Sequence, residues 1–215
     1  MKLYGGLLSP FVRKVAVVLE EKGLGWELVS ISPHTPDPDF TAASPFGKIP
    51  APCDGDFSLA DSSAIAVYLD AKHSAVPMLP AEPQARGKAT WFDEFADTVL
   101  GGAGLKIVFN RLVGPKLLKL PASEEAAQQG EAELPPILDY LESVAPQDGW
   151  LDGEFSLGDI SVASMLKTMS YAGHGPDADR YPATAAWYGR VAARPSWTAV
   201  AAMEAPLAER FGAAA

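Results

Sequence analysis

The 215-residue chain is poor in the residues that most often carry chemistry, with a single cysteine, Cys53, and three histidines, His34, His73 and His174. One cysteine excludes an internal disulfide and a cysteine-based metal cluster, and the histidines have no metal-ligand spacing, so no metal is expected. No apolar run approaches the roughly 20 residues of a membrane span, and no apolar segment with basic flanks opens the chain; a cytoplasmic protein is expected. Basic blocks are missing too. With 17 Lys and Arg against 27 Asp and Glu, the formal net charge is −10, and the average field repels a nucleic-acid backbone. What remains, 48% apolar and 20% charged residues, is the composition of a soluble globular protein. The length allows a sizeable core and two compact domains at most.

The first part of the chain alternates strand-like and helix-like segments. Leu3 and Tyr4 open a short strand. Residues 10–22 form an amphipathic helix with Val12, Val15, Ala16 and Leu19 on one face, stopped by Gly23. Residues 26–31 read as a buried strand, followed by a Pro/Asp-rich loop over 32–39 and a helical turn near 40–43. Two short strands, 49–53 and 57–59, flank a turn at Asp54-Gly55, and a helix over 61–72 turns Ile65, Tyr68 and Leu69 inward. The order β-α-β-α-β-β-α predicts a thioredoxin-like domain over residues 1–73.

Beyond a linker around 74–83 the strands vanish, and an all-helical domain is expected over 84–215. Its first helix, 86–99, carries Trp91, Phe92, Phe95 and Val99. Gly101-Gly102-Ala103-Gly104 is expected to interrupt or kink it, since glycine costs roughly 1 kcal/mol per helical residue against alanine. Ser123 can cap the next helix, with Glu124 and Glu125 in its first turn, and a kink or break is expected at Pro135-Pro136. Further helices are predicted over 157–171, 183–193 and 196–203, with a frayed alanine-rich tail. Phe155-Ser156-Leu157-Gly158-Asp159-Ile160 reads as a capping box with Ser156 at the N-cap and Asp159 at N3.

Three segments could carry chemistry. Ser9 stands immediately before the first helix, whose first position is Pro10. A helix N-terminus favours an anion, and a thiolate is one: a free thiol near pKa 8.5 is mostly protonated at neutral pH. A hydroxyl donor and the helix dipole both favour its charged form. The alternative is that Ser9 merely caps the helix. The second segment is Ser44-Pro45-Phe46-Gly47-Lys48-Ile49-Pro50, otherwise a surface turn with a solvated lysine. The third, Leu59 through Asp61-Ser62-Ser63-Ala64-Ile65 to Tyr68-Leu69, sets an acid and a hydroxyl at a helix start, which an N-cap would also explain.

In combination, and with Met1-Lys2-Leu3-Tyr4-Gly5 and Ser9 through Val15 opening the chain, these segments resemble the glutathione S-transferase family, most closely its phi and tau classes. Tyr181-Pro182 and Trp187 through Trp197 extend the resemblance over nearly the whole chain. The resemblance implies a thioredoxin-like glutathione-binding domain followed by an all-α domain, and glutathione conjugation to a small hydrophobic electrophile. Ser9 is the implied catalytic residue. The family's proline at Pro50 is cis, so that the backbone of Ile49 pairs with the cysteinyl unit of glutathione in strand fashion. The resemblance further implies that Lys48 pairs with the glycyl carboxylate and that a loop histidine, His34, lies near it. By the same resemblance Ser62 and a backbone N–H are expected to hold the γ-glutamyl carboxylate while Asp61 takes the ammonium. The family more often has glutamate at the position of Asp61, which is one methylene shorter.

Tyr4, the rival thiol activator of other classes, falls too early relative to the helix and reads as core. Cys53 reads as a small buried hydrophobe. The electrophile pocket is implied between the domains, with Phe11, Phe92, Phe95 and Phe109 as candidates that could equally be core. A homodimer is implied as well. Two alternatives stand beside conjugation: another glutathione-dependent reaction (isomerisation, dehalogenation, peroxide reduction, ether cleavage) or a non-catalytic ligand-binding or interaction module. A disulfide reductase is disfavoured, because no cysteine occupies the helix N-terminus.

Overall fold

Leu3 and Tyr4 point to opposite sides of strand β1 (Lys2–Gly5), as a period of two requires, and that alternation separates two cores. Leu3 is fully buried in the large cluster that also takes in the first helix, whereas Tyr4 packs with Phe40, Ala43 and Ala51 on the other face. The computed structural model describes residues 1–31 and 37–210. His34 and the alanine-rich tail lie outside the described residues.

After β1 come α1 (Pro10–Glu21), β2 (Glu27–Ser30), α2 (Pro38–Ala43), β3 (Ala51–Asp54), β4 (Phe57–Ser58) and α3 (Ser62–Lys72), the order expected for a thioredoxin-like unit. The four-stranded sheet has the order β2-β1-β3-β4, with β1 parallel to β2 and antiparallel to β3. One strand departs from expectation. β2 is shorter than predicted and only half-buried, because it lies at the sheet edge with one side unpaired.

The remaining elements are helical: α4 (Pro83–Glu94), a π-helical segment (Phe95–Leu100), α5 (Gly101–Val108), a second π-helical segment (Phe109–Leu118), α6 (Glu124–Val144), α7 (Leu157–Ser170), α8 (Pro182–Ala192) and α9 (Pro195–Arg210). α4 begins earlier than the sequence suggests, since Glu82 caps it through the N–H groups of Gln84 and Ala85 and Pro83 follows at N1. The glycines at 101–104 do not break the helix. A Cβ on Gly101 would lie 2.9 Å from Met165 Cε, and one on Gly104 2.5 Å from Met169 Sδ, so their small size admits α7. α6 likewise runs on through Pro135 and Pro136. Its seam with α5 is tight at Gly130, where a Cβ would meet the Ala103 carbonyl at 2.6 Å, and this packing outweighs the local proline preference.

α7 is the centre of the helical half, and every residue from Leu157 to Leu166 is buried. The capping box forms at its start, with Asp159 Oδ2 accepting the Ser156 N–H at 3.1 Å. Asp159 does more than cap. Its Oδ1 also accepts the Leu151 N–H at 3.0 Å and Trp187 Nε1 at 2.8 Å, tying α7 to the 150–153 turn and to α8. Burial pushes its carboxyl above the usual carboxylate range, against the pull of these hydrogen bonds. Asp159→Ala would strand the indole and two backbone donors in the core. It is expected to cost about 2–4 kcal/mol, beyond the ~1 kcal/mol of a lost cap, read as a shift in the urea unfolding midpoint.

Candidate active site

The site is built where the C-terminal end of β1 meets the N-terminal end of β3. The antiparallel register Tyr4↔Ala51 sets Gly5 beside the Ile49–Pro50 peptide, which is cis. Gly5 is required there: its φ is +153°, and a Cβ would come within 2.5 Å of Val12 Cγ2 and 3.5 Å of Ile49 Cβ. The loop from Gly5 to Ser9, the first turns of α1 and the residue before the cis proline therefore share one small volume.

Ser9 is the N-cap of α1, in extended conformation, with Pro10 at N1. Its N–H donates to the Gly6 carbonyl at 2.9 Å, and its carbonyl accepts the Arg13 N–H at 3.0 Å. The hydroxyl makes no capping hydrogen bond, and the residue is only partly buried. Tyr4 offers no competing phenol. It is 2% exposed on the other face of the sheet, and burial first, then the nearby Cys53 and acidic residues, raises its pKa. Cys53 is half-buried against Tyr4, with its thiol also pushed up by burial.

The second segment is held by a residue that sequence reasoning passed over. Buried Ser44 accepts the Lys48 N–H at 2.9 Å and donates to the Lys48 carbonyl at 2.7 Å. The turn also uses Gly47 at φ +65°, and it leaves Phe46 and Lys48 exposed with Ile49 half-buried. The signal was the serine that opens the motif.

In the third segment Asp61, not Ser62, is the N-cap of α3. Asp61 Oδ1 accepts the N–H groups of Ser63 at 3.1 Å and Ala64 at 3.0 Å. Its backbone sits at φ +84°, a region L residues seldom occupy and one where strain gathers at functional sites. Ser62 is 3% exposed, at the first helical position.

Two adjacent basic residues join these pieces, and neither was singled out from the sequence. Lys14, 1% exposed, reaches Asp93 Oδ1 and Asp97 Oδ2, each at 2.6 Å, and Ser63 Oγ at 3.3 Å. Ser63 also donates to Asp97 at 3.3 Å, and Ser161 donates to Asp93 at 2.6 Å. The first turn of α3 is thereby fastened to α1 and to the helical half. Arg13, also 1% exposed, pairs with buried Glu204 of α9 and donates to the Ser164 carbonyl and Thr168 Oγ1, each at 2.8 Å.

The aromatic pocket candidates separate. Phe92 and Phe95 are buried in the core, Phe11 packs against it, and Phe109 is 41% exposed. Leu8, which precedes Ser9 in the chain, is buried in a small cluster with Ala208, flanked by the partly buried Leu117, Tyr171 and Leu207. A shallow cavity of about 710 Å³, lined in part by Met1, Tyr4, Trp26, Asp39 and Cys53, contains none of the residues of the three segments.

This geometry has close counterparts. Residues 3–78 match the family model of the glutathione S-transferase N-terminal domain, and residues 124–190 that of the C-terminal domain. Glutathione S-transferase 3 of Zea mays is 36% identical over 214 residues, covering 96% of both chains. A solved structure of glutathione S-transferase III in apo form shares 34% identity and superposes with a TM-score of 0.78 over 94% of this chain and 95% of that one. A glutathione S-transferase-I bound with the ligand lactoylglutathione is 28% identical, with a TM-score of 0.82 over 94% and 98%. The chain belongs to the glutathione S-transferase family of enzymes.

Two carboxylates share one cation at Lys14. Burial pushes the Asp97 carboxyl up, and Lys14 opposes that shift. In Lys14→Met, Asp97 loses the cation that opposes the effect of its burial and of the neighbouring Asp93, and it takes up a proton more readily. A carboxyl whose folded pKa is raised contributes stability that is present at low pH and lost as pH rises through that pKa. The variant is expected to lose about 3–5 kcal/mol at pH 8 and distinctly less at pH 5, measured as urea midpoints at the two pH values.

Proposed function

We propose that this enzyme conjugates the glutathione thiolate to a small hydrophobic electrophile, with Ser9 stabilising the thiolate. The observation that carries this reading is a partly exposed hydroxyl at a helix N-terminus that is not spent on capping the helix. Donated to a sulfur, that hydrogen bond and the positive end of α1 act together on the thiolate and lower the thiol pKa. The backbone of Ile49 pairs with the cysteinyl unit, and Lys48 meets the glycyl carboxylate. The buried hydroxyl and N–H of Ser62 hold the γ-glutamyl carboxylate. Asp61 keeps Oδ1 for its helix and turns Oδ2 toward the ammonium. An apolar electrophile docks at the seam between the halves, where Leu117, Tyr171 and Leu207 are partly exposed beside the buried Leu8. Location in the cytoplasm, where thiols are kept reduced, belongs to the same reading.

Ultraviolet titration of bound glutathione tests it. The native chain is expected to show thiolate absorbance well below the free thiol's range, and Ser9→Ala to lose that signal while keeping glutathione affinity within a few-fold. Binding without a thiolate signal would favour a carrier or interaction module. A signal with no conjugation would leave the other glutathione-dependent reactions.

The functional unit in this reading is a homodimer. Phe46 supports it: the ring is 89% exposed at the tip of the Ser44–Lys48 turn, an unusual position for a phenylalanine in a monomer. Phe46→Ser is expected to weaken the dimer at least tenfold, the equivalent of about 1.4 kcal/mol, in sedimentation equilibrium. An unchanged association constant would exclude Phe46 from the interface.

A further inference from the structure

The direction in which Ser9 presents its hydroxyl depends on the backbone that carries its Cβ, and the preceding peptide is part of that backbone. The Leu8 carbonyl belongs to that peptide. It accepts a hydrogen bond at 3.0 Å from Thr168 Oγ1, which comes from α7 in the helical half. A hydroxyl has one proton, and here its use is determined. Arg13 Nη1 donates to Thr168 Oγ1 at 2.8 Å, so the oxygen is already an acceptor and its own proton is directed to Leu8. Three more N–H groups of Arg13 are held, two by Glu204 and one by the Ser164 carbonyl, which immobilises the guanidinium. Arg13 also returns to Ser9, because its backbone N–H closes the first turn of α1 on the Ser9 carbonyl at 3.0 Å.

We propose that Thr168 is a positioning residue for catalysis: polarised by Arg13, it holds the Leu8–Ser9 peptide so that the Ser9 hydroxyl faces the glutathione sulfur. The inference rests on the Ser9 reading above. Thr168 is 2% exposed and lies behind the loop, so it acts through the backbone and not on substrate. The relay Glu204–Arg13–Thr168–Leu8 is buried throughout, where hydrogen bonds to a charged group are stronger than neutral ones and an unpaired partner is costly. It also explains why α7, which supplies no residue to the three sequence segments, is drawn against the Ser9 loop. Loss of geometric control at a reacting group is a kcat effect, and a small displacement suffices.

The test replaces the hydroxyl while keeping its shape. Thr168→Val is expected to lower kcat by about tenfold and to weaken the thiolate absorbance of bound glutathione at pH 7, with KM for glutathione within about threefold of native. Thr168→Ser, which restores the donor, should recover both signals. Thr168→Ala serves as the second hydroxyl-free variant if the valine does not fold. A hydroxyl-free variant that melts earlier yet keeps native kcat and thiolate absorbance would overturn the proposal, as would a Thr168→Ser as impaired as Thr168→Val. Ser9→Ala is measured alongside. If it retains the thiolate signal, the Ser9 reading fails and this inference with it, whereas loss in Ser9→Ala with none in Thr168→Val removes the inference alone.

Discussion

The structure depends on the burial of two consecutive cations in α1. Arg13 and Lys14 are each 1% exposed, and each requires anionic partners that its own helix does not supply. A buried charge without a partner costs several kcal/mol, so the helical half must dock where Glu204 meets Arg13 and Asp93 with Asp97 meets Lys14. Those pairings set the register between the sheet-bearing half and the helices. They also decide what lies around Ser9, which stands one helical turn before Arg13.

The helical path from Pro83 to Leu118 is adapted to that docking. It passes twice into π-helix, over Phe95–Leu100 and Phe109–Leu118. A π turn re-phases the side chains that follow it and recurs at functional sites. Here the first π segment carries Asp97 to Lys14 and Ser63, and the second carries Leu117 to Leu8. Both contacts fall at the seam between the halves. The charged contact steadies the first turn of α3, and the apolar one packs the buried Leu8 that precedes Ser9.

Much of this was legible beforehand because local chemistry speaks at short range. Pro10 at the first helical position, Gly23 past the helix end and the box at Ser156 and Asp159 each act within a few residues, and each formed as read, while the hairpin turn fell one residue later than expected, at Gly55-Asp56. Where an expected helix break did not form, one physical cause recurs. Glycine at 101 and 104 and proline at 135 and 136 weaken a helix in isolation, but tight packing of α7 on α5 and of α5 on α6 outweighs the preference. Phe92 and Phe95 share a helical face that could serve a pocket or a core, and only their neighbours distinguish the two.

The division follows the range of the forces. The order of elements, the helix start beneath Ser9 and the three segments that mark the family are properties of neighbouring residues, and the sequence by itself determined them. Which oxygen of Asp61 is used by its own helix, which serine holds Lys48, and where Arg13 and Lys14 find their counter-charges were decided only by the tertiary structure. Glu204 stands 191 residues from Arg13, and Thr168 stands 160 from Leu8. Pairings of that separation leave no periodic trace in the chain, because desolvation of a charge acts on whatever the fold brings near it.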